Sequence, residues 1–420
     1  MKVCVIGNGG REHALAWRLS ISPSVTKVYA IPGSAAMSDC AELVGIDWQQ
    51  SDHLIRFLKD NHVDLVVVGP EAPLVAGLAD ALNVAGIPVF GPSKAAAQLE
   101  GSKVFAKDLM KKYNIPTAAY GVFHKVDEAK EFIAQTGAPI VVKADGLATG
   151  KGVVVAMTIE EANAAVEDLL SGNRFGDAGS TVVIEEFMEG EEASLLAFVD
   201  GKTVVPVIAS QDHKRIFDGD KGPNTGGMGT YAPAPVLTDT LRDEAMKTIL
   251  EPMVAAMQKE GMPYVGCLYA GLMITPQGPK VVEFNARFGD PETQVVLPLL
   301  DSDLGQIMMA CATGTLTDNM VKWKDSSAAC VILASKGYPE TSSKGDMIHG
   351  DIKQHDTTIV FHSGTKLVGD EYVTNGGRVL GVVGLGKDLR TALDRAYGRI
   401  EHIDFEGMQY RTDIGAKAFK

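Results

Sequence analysis

The feature that most constrains the fold is a regular alternation of apolar runs and amphipathic segments over the first hundred residues. Apolar runs lie at 2–7, 27–32, 64–69 and 88–91, and segments of helical character lie at 11–20, 51–62 and 74–86. Strands that are apolar on both faces are typical of a parallel sheet covered by helices on each side. The pattern therefore predicts an N-terminal doubly wound parallel-sheet domain of the α/β class, with ligands beyond the carboxyl ends of its strands.

The pattern changes after residue 101 and predicts three further units. Helices and strands alternate around a glycine-rich loop up to residue 190, which indicates a small α+β module. A long polar loop (210–235), a helix and two paired strands follow, and the last part of the chain holds three apolar strands and a helix. We therefore expect domains at 1–101, 102–190, 191–325 and 326–420, the last of them strand-rich.

Composition and charge limit the classes of partner. The chain has 420 residues, 45% of them hydrophobic and 22% charged, with a formal net charge of −14. Nucleic-acid-binding proteins normally present a basic face, so this charge argues against nucleic acid as a partner. It leaves open a small anionic substrate held by a few local positive groups.

The cysteines and the N-terminus predict a soluble, cytoplasmic protein. The five cysteines are scattered and include no Cys-x-x-Cys pair, as expected for reduced thiols. The N-terminal apolar run is short and ends in a glycine turn, which is typical of a strand rather than a signal peptide. No apolar segment approaches the roughly 18 residues of a membrane span.

The stretch VVEFNARFGDPETQ (281–294) concentrates polar side chains on a strand. Because alternate residues of a strand share a face, Glu283, Asn285 and Arg287 point the same way. A carboxylate and an amide oxygen suit Mg²⁺, which fills its remaining positions with phosphate oxygens and water. Arg287 would then lie within reach of an anion bridged by that metal. Taken alone, the same pattern also fits the polar face of an amphipathic strand.

The stretch PIVVKADGLATGKGVVVA (139–156) places a glycine-rich loop between two apolar strands. Such a loop can lay backbone N–H groups over phosphates, with Lys143 supplying a positive charge. It is not a Walker A loop, because Lys151 is followed by Gly152 rather than Ser or Thr and the next element is a strand. A hairpin lid is the better interpretation, with an ordinary glycine-rich turn as the alternative.

The stretch TVVIEEFMEGEEAS (181–194) has a short polar bend between two strands. Backbone N–H and C=O groups at such a bend can bind adenine, with a nearby carboxylate for the ribose hydroxyls. Without other motifs it would be only a surface hairpin.

The N-terminal stretch GNGGREH (7–13) is a weak dinucleotide fingerprint, because its sixth position is Glu12 instead of glycine. Gly9, Gly10 and Arg11 at a helix start still offer open amides, a positive helix end and a basic side chain. Glu71, after the third predicted strand, lies at the same edge of the sheet. A mononucleotide or sugar phosphate is favoured over NAD.

Together these motifs resemble the glycinamide ribonucleotide synthetases, a family of the ATP-grasp superfamily. The resemblance rests on GNGGREHA, GLATGKG, EEFMEGEEAS, DHKR with NTGGMG, and EFNARFGDPETQ, and it spans essentially all 420 residues. It implies that residues 102–325 form an ATP-grasp α+β core with its small lid module. It also implies that ATP, glycine and 5-phosphoribosylamine give glycinamide ribonucleotide, ADP and phosphate through a glycyl phosphate, with Mg²⁺ or Mn²⁺. The partners would be these small molecules only, with no nucleic acid or membrane, in a monomer or weak homodimer.

The resemblance also implies roles for individual residues. The metal would be held by Glu283 and Asn285. ATP would contact Lys103, Lys143, Gly150, Lys151, Gly152, the backbone at Glu186, Phe187 and Met188, and Glu192. The amine and glycine would contact Gly9, Gly10, Arg11, Glu71, Asp212, Lys214, Gly226, Gly227, Arg287, Asp290 and Glu292. The catalytic candidates are Arg287, Lys143 and Asp212; no general base is assigned, because an amine can attack an acyl phosphate without one.

Three other functions compete with this interpretation. Another ATP-grasp ligase would share the lid and metal strand but not the N-terminal motif together with DHKR and NTGGMG. An NAD-dependent oxidoreductase would use the N-terminal sheet, against which the missing sixth-position glycine weighs. A non-catalytic nucleotide sensor would bind ATP without releasing ADP.

Overall fold

A computed structural model of the chain describes residues 1–147, 152–170 and 180–419. The N-terminal sheet is wholly parallel, with strand order β3-β2-β1-β4-β5. Its strands are β1 (Lys2–Gly7), β2 (Lys27–Pro32), β3 (Glu42–Leu43), β4 (Leu65–Val68) and β5 (Val89–Phe90). Its helices are α1 (Gly10–Ser20), α2 (Ser51–Asp60), α3 (Glu71–Ala76) and α4 (Leu78–Val84). The predicted doubly wound domain is thus confirmed; the single helix expected over 74–86 is divided at Gly77, which has φ +97°.

The sheet order places a switch point between β1 and β4, because the chain leaves these neighbouring strands in opposite directions. In open α/β sheets such a point opens a crevice beyond the carboxyl ends of the strands. The GNGG turn after β1 and Glu71 after β4 both lie at this crevice.

The second unit is an antiparallel sheet of order β6-β9-β7-β8 with helices packed against it. Its elements are α5 (Gln98–Gly101), α6 (Lys103–Lys112), β6 (Tyr120–Phe123), α7 (Val126–Thr136), β7 (Ile140–Ala144), β8 (Val153–Ala156), α8 (Ile159–Leu170) and β9 (Val182–Glu186). Ile133, Ile140, Val166 and Ile184 belong to its own apolar core.

The third unit centres on an antiparallel sheet of order β11-β10-β16-β17. The strands of this region are β10 (Glu191–Asp200), β11 (Val204–Pro206), β12 (Gln211–Asp212), β13 (Arg215–Phe217), β14 (Lys221–Asn224), β15 (Gly229–Ala232), β16 (Val265–Thr275) and β17 (Gly278–Asn285). Its helices are α9 (Asp239–Ala245), which continues through a π-helical turn (Met246–Leu250) into α10 (Glu251–Lys259), then α11 (Thr293–Leu299) and α12 (Leu304–Thr313).

The C-terminal unit contributes β18 (Ser327–Ala334), β19 (His349–Gly350), β20 (Thr358–His362), β21 (Thr365–Val368), β22 (Glu371–Thr374), β23 (Arg378–Gly386), α13 (Leu389–Ile400) and β24 (Ile403–Asp404). Its main sheet has the order β12-β15-β18-β23-β20. Two of these five strands come from the segment 210–235, which the sequence predicted to be a loop. That prediction was wrong for these residues, since β15 pairs with β18 and carries β12 at the edge of the sheet.

The described residues contain no helix that is both long and apolar enough to cross a membrane.

Candidate active site

Strand β17 carries the acidic, amide and basic side chains that the sequence analysis singled out. A register shift near Val282 leaves Glu283 opposite Gly271 of β16. The Glu283 side chain is 36% exposed, whereas Asn285 is buried. Arg287 lies beyond the strand end, yet its Nη2 donates to Asn285 Oδ1 at 3.3 Å. The structure therefore brings these side chains together at the end of β17.

The guanidinium of Arg287 is held between two carboxylates. Its Nη2 lies 2.8 Å from Glu100 Oε1, and its Nε lies 3.3 Å from Glu71 Oε2. Glu100 also accepts a hydrogen bond from the Ala286 amide at 2.7 Å. Burial alone would lower the pKa of Arg287, but Glu100 and Glu71 raise it above its ordinary value. Arg287 is therefore a fixed cation at the junction of the N-terminal domain and β17.

A buried lysine pair faces this strand from the second unit. The ammonium groups of Lys143 and Lys107 lie 2.9 and 3.1 Å from the same oxygen, Glu185 Oε2. Lys143 also donates to the Val282 carbonyl at 3.1 Å. Burial lowers the pKa of Lys107 to about 8, against the opposing effect of Glu185. The other carboxylate oxygen, Glu185 Oε1, is buried without a hydrogen-bond partner among the described residues.

Lys103 begins helix α6 and is fixed by the chain ahead of the glycine loop. Its backbone amide donates to Asp145 Oδ1 at 2.6 Å, and its Nζ donates to the Gly146 carbonyl at 3.0 Å. Burial lowers the pKa of Lys103, opposed by Glu283. Its ammonium therefore lies where the loop and β17 approach each other.

Three of the predicted ATP contacts belong to the glycine loop itself. Gly150 and Lys151 lie outside the described residues. The Gly152 carbonyl accepts a hydrogen bond from the Ala144 amide at 2.8 Å, which continues the antiparallel pairing of β7 with β8.

The polar bend after β9 is pinned at its first residue. The Glu186 amide donates to the Ala119 carbonyl at 2.9 Å, and Glu186 Oε2 accepts from the Ala119 amide at 3.2 Å. Phe187 is half-buried, Met188 is buried, and Glu192 is exposed. Since the Glu186 amide is already used, a nucleobase at this bend would find its donors in the residues that follow.

Lys214 links the predicted ribose residue to the predicted metal residue. Its Nζ lies 2.8 Å from Glu192 Oε2 and 4.0 Å from Glu283 Oε1. Burial would lower the pKa of Lys214, but Glu192 and Glu283 raise it well above its ordinary value.

Two carboxylates lie beside each other on the far side of Lys214. Glu292 Oε1 accepts hydrogen bonds from Ser194 at 3.0 Å and from Tyr269 at 3.1 Å. Asp212 Oδ1 is buried and has no partner among the described residues. Burial and the charge of Glu292 raise the pKa of Asp212 well above its usual range. An unpaired carboxylate of this kind is suited to binding a cationic amine or accepting a proton.

The C-terminal domain contributes an arginine to the same pocket. Arg378 Nη1 donates to the carbonyls of Gly226 at 2.7 Å and Asp290 at 2.9 Å, and its Nη2 lies 3.4 Å from Asp290 Oδ2. The neighbouring Gly227 has φ +115°, and a Cβ there would lie 2.5 Å from Pro291 Cδ. The predicted residues Gly226, Gly227 and Asp290 are thus brought together by a side chain that the sequence analysis did not single out.

The turn after β1 is closely packed from the opposite direction. The Gly9 amide donates to Glu12 Oε2 at 2.8 Å, which closes the start of α1. A Cβ on Gly10 would lie 2.3 Å from the Ser363 Oγ of the C-terminal domain. A side chain at this position would therefore require the Ser363 hydroxyl to rotate away.

Arg11 is buried rather than open to solvent. Its Nε lies 2.5 Å from Glu12 Oε1, and its Nη1 donates to the Phe288 carbonyl at 3.2 Å and lies 4.0 Å from Glu71 Oε2. A cleft of about 400 Å³ opens beside this turn, and its lining includes Gly7, Pro32, Trp48 and Pro70. At this edge the Arg11 side chain points into the protein interior, whereas the turn after β1 borders the cleft.

The donor set on β17 fits a hard divalent cation. Burial would raise the pKa of Glu283, but Lys214, Lys143 and Lys103 lower it, so the carboxylate is ionised. Asn285 supplies a neutral oxygen two residues away. Among the described residues no cluster of three or more His, Cys, Asp or Glu side chains could hold a metal on its own. A cation here would need oxygens from a ligand and water as well, as Mg²⁺ at phosphates does.

Sequence reasoning missed four charged residues of the site. Lys107 was detectable, because it lies one helical turn from Lys103 on the same face of α6. Glu185 lies inside a stretch that was singled out, but only its neighbours were given roles. Glu100 and Arg378 carry no local signal, since their partners are far away along the chain.

Comparison with known proteins decides the family. Three models of phosphoribosylglycinamide synthetase match the chain: the N domain over residues 1–100, the ATP-grasp (A) domain over 101–293 and the C domain over 328–417. The chain belongs to the phosphoribosylglycinamide synthetase family.

Individual members of this family match the chain along its whole length. It is 52% identical to the phosphoribosylamine–glycine ligase of Halalkalibacterium halodurans, covering 100% of the chain and 97% of that protein. It is also 52% identical to that of Neisseria meningitidis serogroup A, covering 100% and 99%. The crystal structure of the phosphoribosylamine–glycine ligase from Thermotoga maritima superimposes with a TM-score of 0.86 at 34% identity, covering 99% of this chain and 100% of that one.

Proposed function

We propose that the chain is an ATP-dependent ligase that joins glycine to 5-phosphoribosylamine in purine biosynthesis. The observation that carries the proposal is the meeting of Glu283, Asn285 and Arg287 at the end of β17 with Lys103 and Lys143 opposite them. Phosphoryl transfer depends on such positioning and on neutralising the charge of the transferred group. The named relatives, which match over the full length of the chain, support the choice of substrates.

In this proposal ATP lies between the second unit and β17. Phe187 and Met188, the two residues that follow Glu186, hold adenine, and Glu192 holds the ribose. The phosphates are held by Lys103 and Lys143 together with the loop of Gly150, Lys151 and Gly152. Glu283 and Asn285 hold Mg²⁺, for which Mn²⁺ is a chemically similar substitute; when bound, the metal neutralises phosphate charge. Lid closure over ATP keeps water from the reactive intermediate.

The chemistry proceeds in two steps. A glycine carboxylate oxygen attacks the γ-phosphorus of ATP, the bond to the β-phosphate oxygen breaks, and ADP leaves. The amine nitrogen of phosphoribosylamine then attacks the acyl carbon, phosphate departs, and the amine loses a proton. Arg287, held as a cation by Glu71 and Glu100, stabilises the charge on the transferred group. Asp212, with its unpaired oxygen, is placed to receive the proton or to bind the ammonium group of glycine.

The sugar amine is proposed to lie at the edge of the N-terminal sheet. Gly9 and Gly10 form the turn there; the Gly9 amide is taken by Glu12 Oε2, so the Gly10 amide is the proposed donor, and the cleft beside the turn is about 400 Å³ in volume. Arg11 acts indirectly in this arrangement, because it holds Glu12 and Glu71 in place. Lys214, Gly226, Gly227, Asp290 and Glu292 close the pocket that the amine and glycine share.

The partners of the enzyme are proposed to be its small-molecule substrates, with no nucleic acid or membrane, in a monomer or weak homodimer. All five cysteines are free thiols, which fits a reducing cytoplasm.

The test measures ADP release through coupled NADH oxidation in the presence of Mg²⁺. The reaction contains ATP, glycine and phosphoribosylamine, the amine being generated in situ from ammonia and ribose 5-phosphate. We expect turnover that requires both glycine and the sugar amine. Turnover with a different carboxylate or amine would move the chain to another branch of the ATP-grasp ligases, and ATP binding without any turnover would favour a nucleotide sensor.

A further inference from the structure

A single segment, residues 211–229, carries four of the proposed substrate residues. Asp212 and Lys214 lie at its start, and Gly226 and Gly227 near its end. Between them β13 and β14 form a two-stranded hairpin that pairs with no other strand in the part of the chain that the structure describes. A hairpin without further strands is marginally stable by itself. Its position must therefore be fixed by other parts of the chain.

The C-terminal tail, residues 411–417, contacts the tip of this hairpin. Arg411 is 1% exposed, and its Nη1 lies 2.8 Å from Asp220 Oδ1 and donates to the Arg215 carbonyl at 3.1 Å. Asp413 holds the guanidinium through its Nε at 2.7 Å and accepts the Gly219 amide at 2.8 Å. The tail is thus joined to strand β13 and to the turn of the hairpin.

Two more contacts extend this connection. Lys417 Nζ lies 2.7 Å from Asp220 Oδ2, and the Thr412 amide donates to Asp218 Oδ1 at 2.9 Å. The carboxylates of Asp218 and Asp220 at the hairpin tip are therefore bound by two cations of the tail, Arg411 and Lys417, and by the Thr412 amide.

His213 connects the tail directly to the residues of the site. Its Nδ1 lies 3.0 Å from the Gly229 carbonyl, so it donates there, and its Nε2 accepts the Gly415 amide at 3.4 Å. These partners select the neutral tautomer with the proton on Nδ1. Because His213 stands between Asp212 and Lys214, its fixed ring fixes the backbone that aims both side chains.

We propose that the tail positions Asp212 and Lys214 for the ligation, with Arg411 as the positioning residue. Lys214 reaches Glu192 and Glu283 from this backbone, and Asp212 stands beside Glu292. A release of the hairpin tip displaces both charged groups, whereas Lys103 and Lys143 are held by the second unit and stay in place. The inference rests on the proposed ligase function.

The experiment compares the Arg411→Met variant with the wild-type chain in the ADP-release assay. Met keeps an unbranched stem but removes the charge and the hydrogen bonds. We expect kcat/KM for glycine and for phosphoribosylamine to fall about ten-fold or more, since small misplacements cost rates of this size. The KM for ATP should rise by a smaller factor than the loss in kcat/KM for glycine, because Lys103 and Lys143 keep their positions and only Glu192 loses its Lys214 partner. Arg411→Lys should recover part of the loss.

The control is Arg399→Met in the same domain. Arg399 has a 9% exposed side chain and lies 2.5 Å from Asp351 Oδ2, so its loss removes a comparable ion pair away from the hairpin. We expect Arg399→Met to lower the melting temperature without changing the kinetic constants. The inference is overturned when Arg411→Met keeps wild-type constants, when its KM for ATP rises in parallel, or when Arg399→Met shows the same kinetic loss.

A second variant covers the case in which Arg411→Met does not fold. Asp220→Asn weakens the same pair from the exposed hairpin tip and should lower kcat/KM for glycine in the same direction. Where Arg411→Met does fold, the two effects should not add in the double variant, because both act on one contact. Wild-type constants for Asp220→Asn would overturn the inference. Failure of the wild-type chain to turn over glycine and the sugar amine would instead refute the proposed function.

Discussion

At the scale of single residues, the site pairs most of its charges with opposite ones, and Asp212 with its unpartnered oxygen is an exception. Arg287 lies between Glu71 and Glu100, Lys143 shares Glu185 with Lys107, and Lys214 spans Glu192 and Glu283. Glu283 stands out among these, because its side chain is 36% exposed and Lys214 is 4.0 Å away, whereas the more exposed Glu192 is held by Lys214 at 2.8 Å. It is the carboxylate that is most available to a metal.

Replacing Glu283 with Gln tests this assignment. Gln keeps the size and one oxygen but removes the negative charge, so we expect kcat to fall about 100-fold or more and the Mg²⁺ concentration for half-maximal rate to rise. The melting temperature should stay close to that of the wild-type chain, because the side chain is partly exposed. Glu251→Gln, an exposed position on α10, should change none of these quantities. Full activity of Glu283→Gln would refute the metal assignment.

At the scale of elements, the start of α1 shows how a local motif depends on a distant contact. The sequence predicts an open phosphate site at the GNGG turn, whereas in the structure Gly10 lies against Ser363 and Gln294. Its small size lets the C-terminal domain approach the carboxyl edge of the N-terminal sheet. The element is therefore both a proposed ligand site and a packing surface.

Gly10→Ala should reveal this double role. The new Cβ would lie 2.3 Å from Ser363 Oγ and 3.0 Å from Gln294 Nε2, both of which end side chains that can rotate. The overpacking should therefore cost about 1 kcal/mol, the low end of its usual range, and raise the KM for phosphoribosylamine. Adding Ser363→Gly should recover part of the loss. Gly398→Ala, in open space on α13, should instead stabilise the chain by about 0.5–1 kcal/mol. Equal melting temperatures for Gly10→Ala and the wild-type chain would contradict the argument.

At the scale of the whole molecule, three of the four units share one apolar core, while the second unit has a core of its own. Val5 and Leu15 of the N-terminal domain, Phe198 of β10, Val295 of α11 and Cys330 of β18 belong to the same buried cluster. Buried side chains from these separate predicted domains thus pack against one another, and this packing fixes the domains around the site.

Two buried histidines at this junction predict loss of stability in acid. The His362 amide donates to His13 Nδ1 at 3.0 Å, and burial lowers the pKa of His13 to about 3 and of His362 to about 4. Since the unfolded chain binds protons below pH ~6.5 and the folded chain does not, the free energy of unfolding falls as pH decreases from ~6.5 towards 4. Between pH 6.5 and 5 each histidine should cost about 2 kcal/mol.

Denaturant unfolding at pH 7 and pH 5 measures this slope. His13→Asn keeps an acceptor near the position of Nδ1 without titrating. The free energy of unfolding of this variant should therefore fall less between pH 7 and pH 5, by about the contribution of one histidine. His53→Asn, an exposed position on α2, should leave the slope unchanged. An unaltered slope in His13→Asn would show that this histidine is not the source.

The sequence by itself determined the elements and the local chemistry. Uniformly apolar strands, helical periodicity and glycine turns act over a few residues, so β1, β2, β4 and β23 could be located, and the alternation of a strand placed Glu283 beside Asn285. The strands within 210–235 could not be predicted, because the polar, glycine-rich composition of this segment is typical of a loop and pairing with β18 stabilises its strand β15.

Only the tertiary structure decided which distant groups meet. Arg378 is 88 residues from Asp290 along the chain, and Arg287 is 216 residues from Glu71. The tail residue Arg411 is 191 residues from Asp220. No local pattern encodes such pairs, because each depends on how sheets and helices pack over the whole molecule. Short motifs therefore determine which chemical groups the site contains, whereas the packing of the domains determines how those groups are arranged.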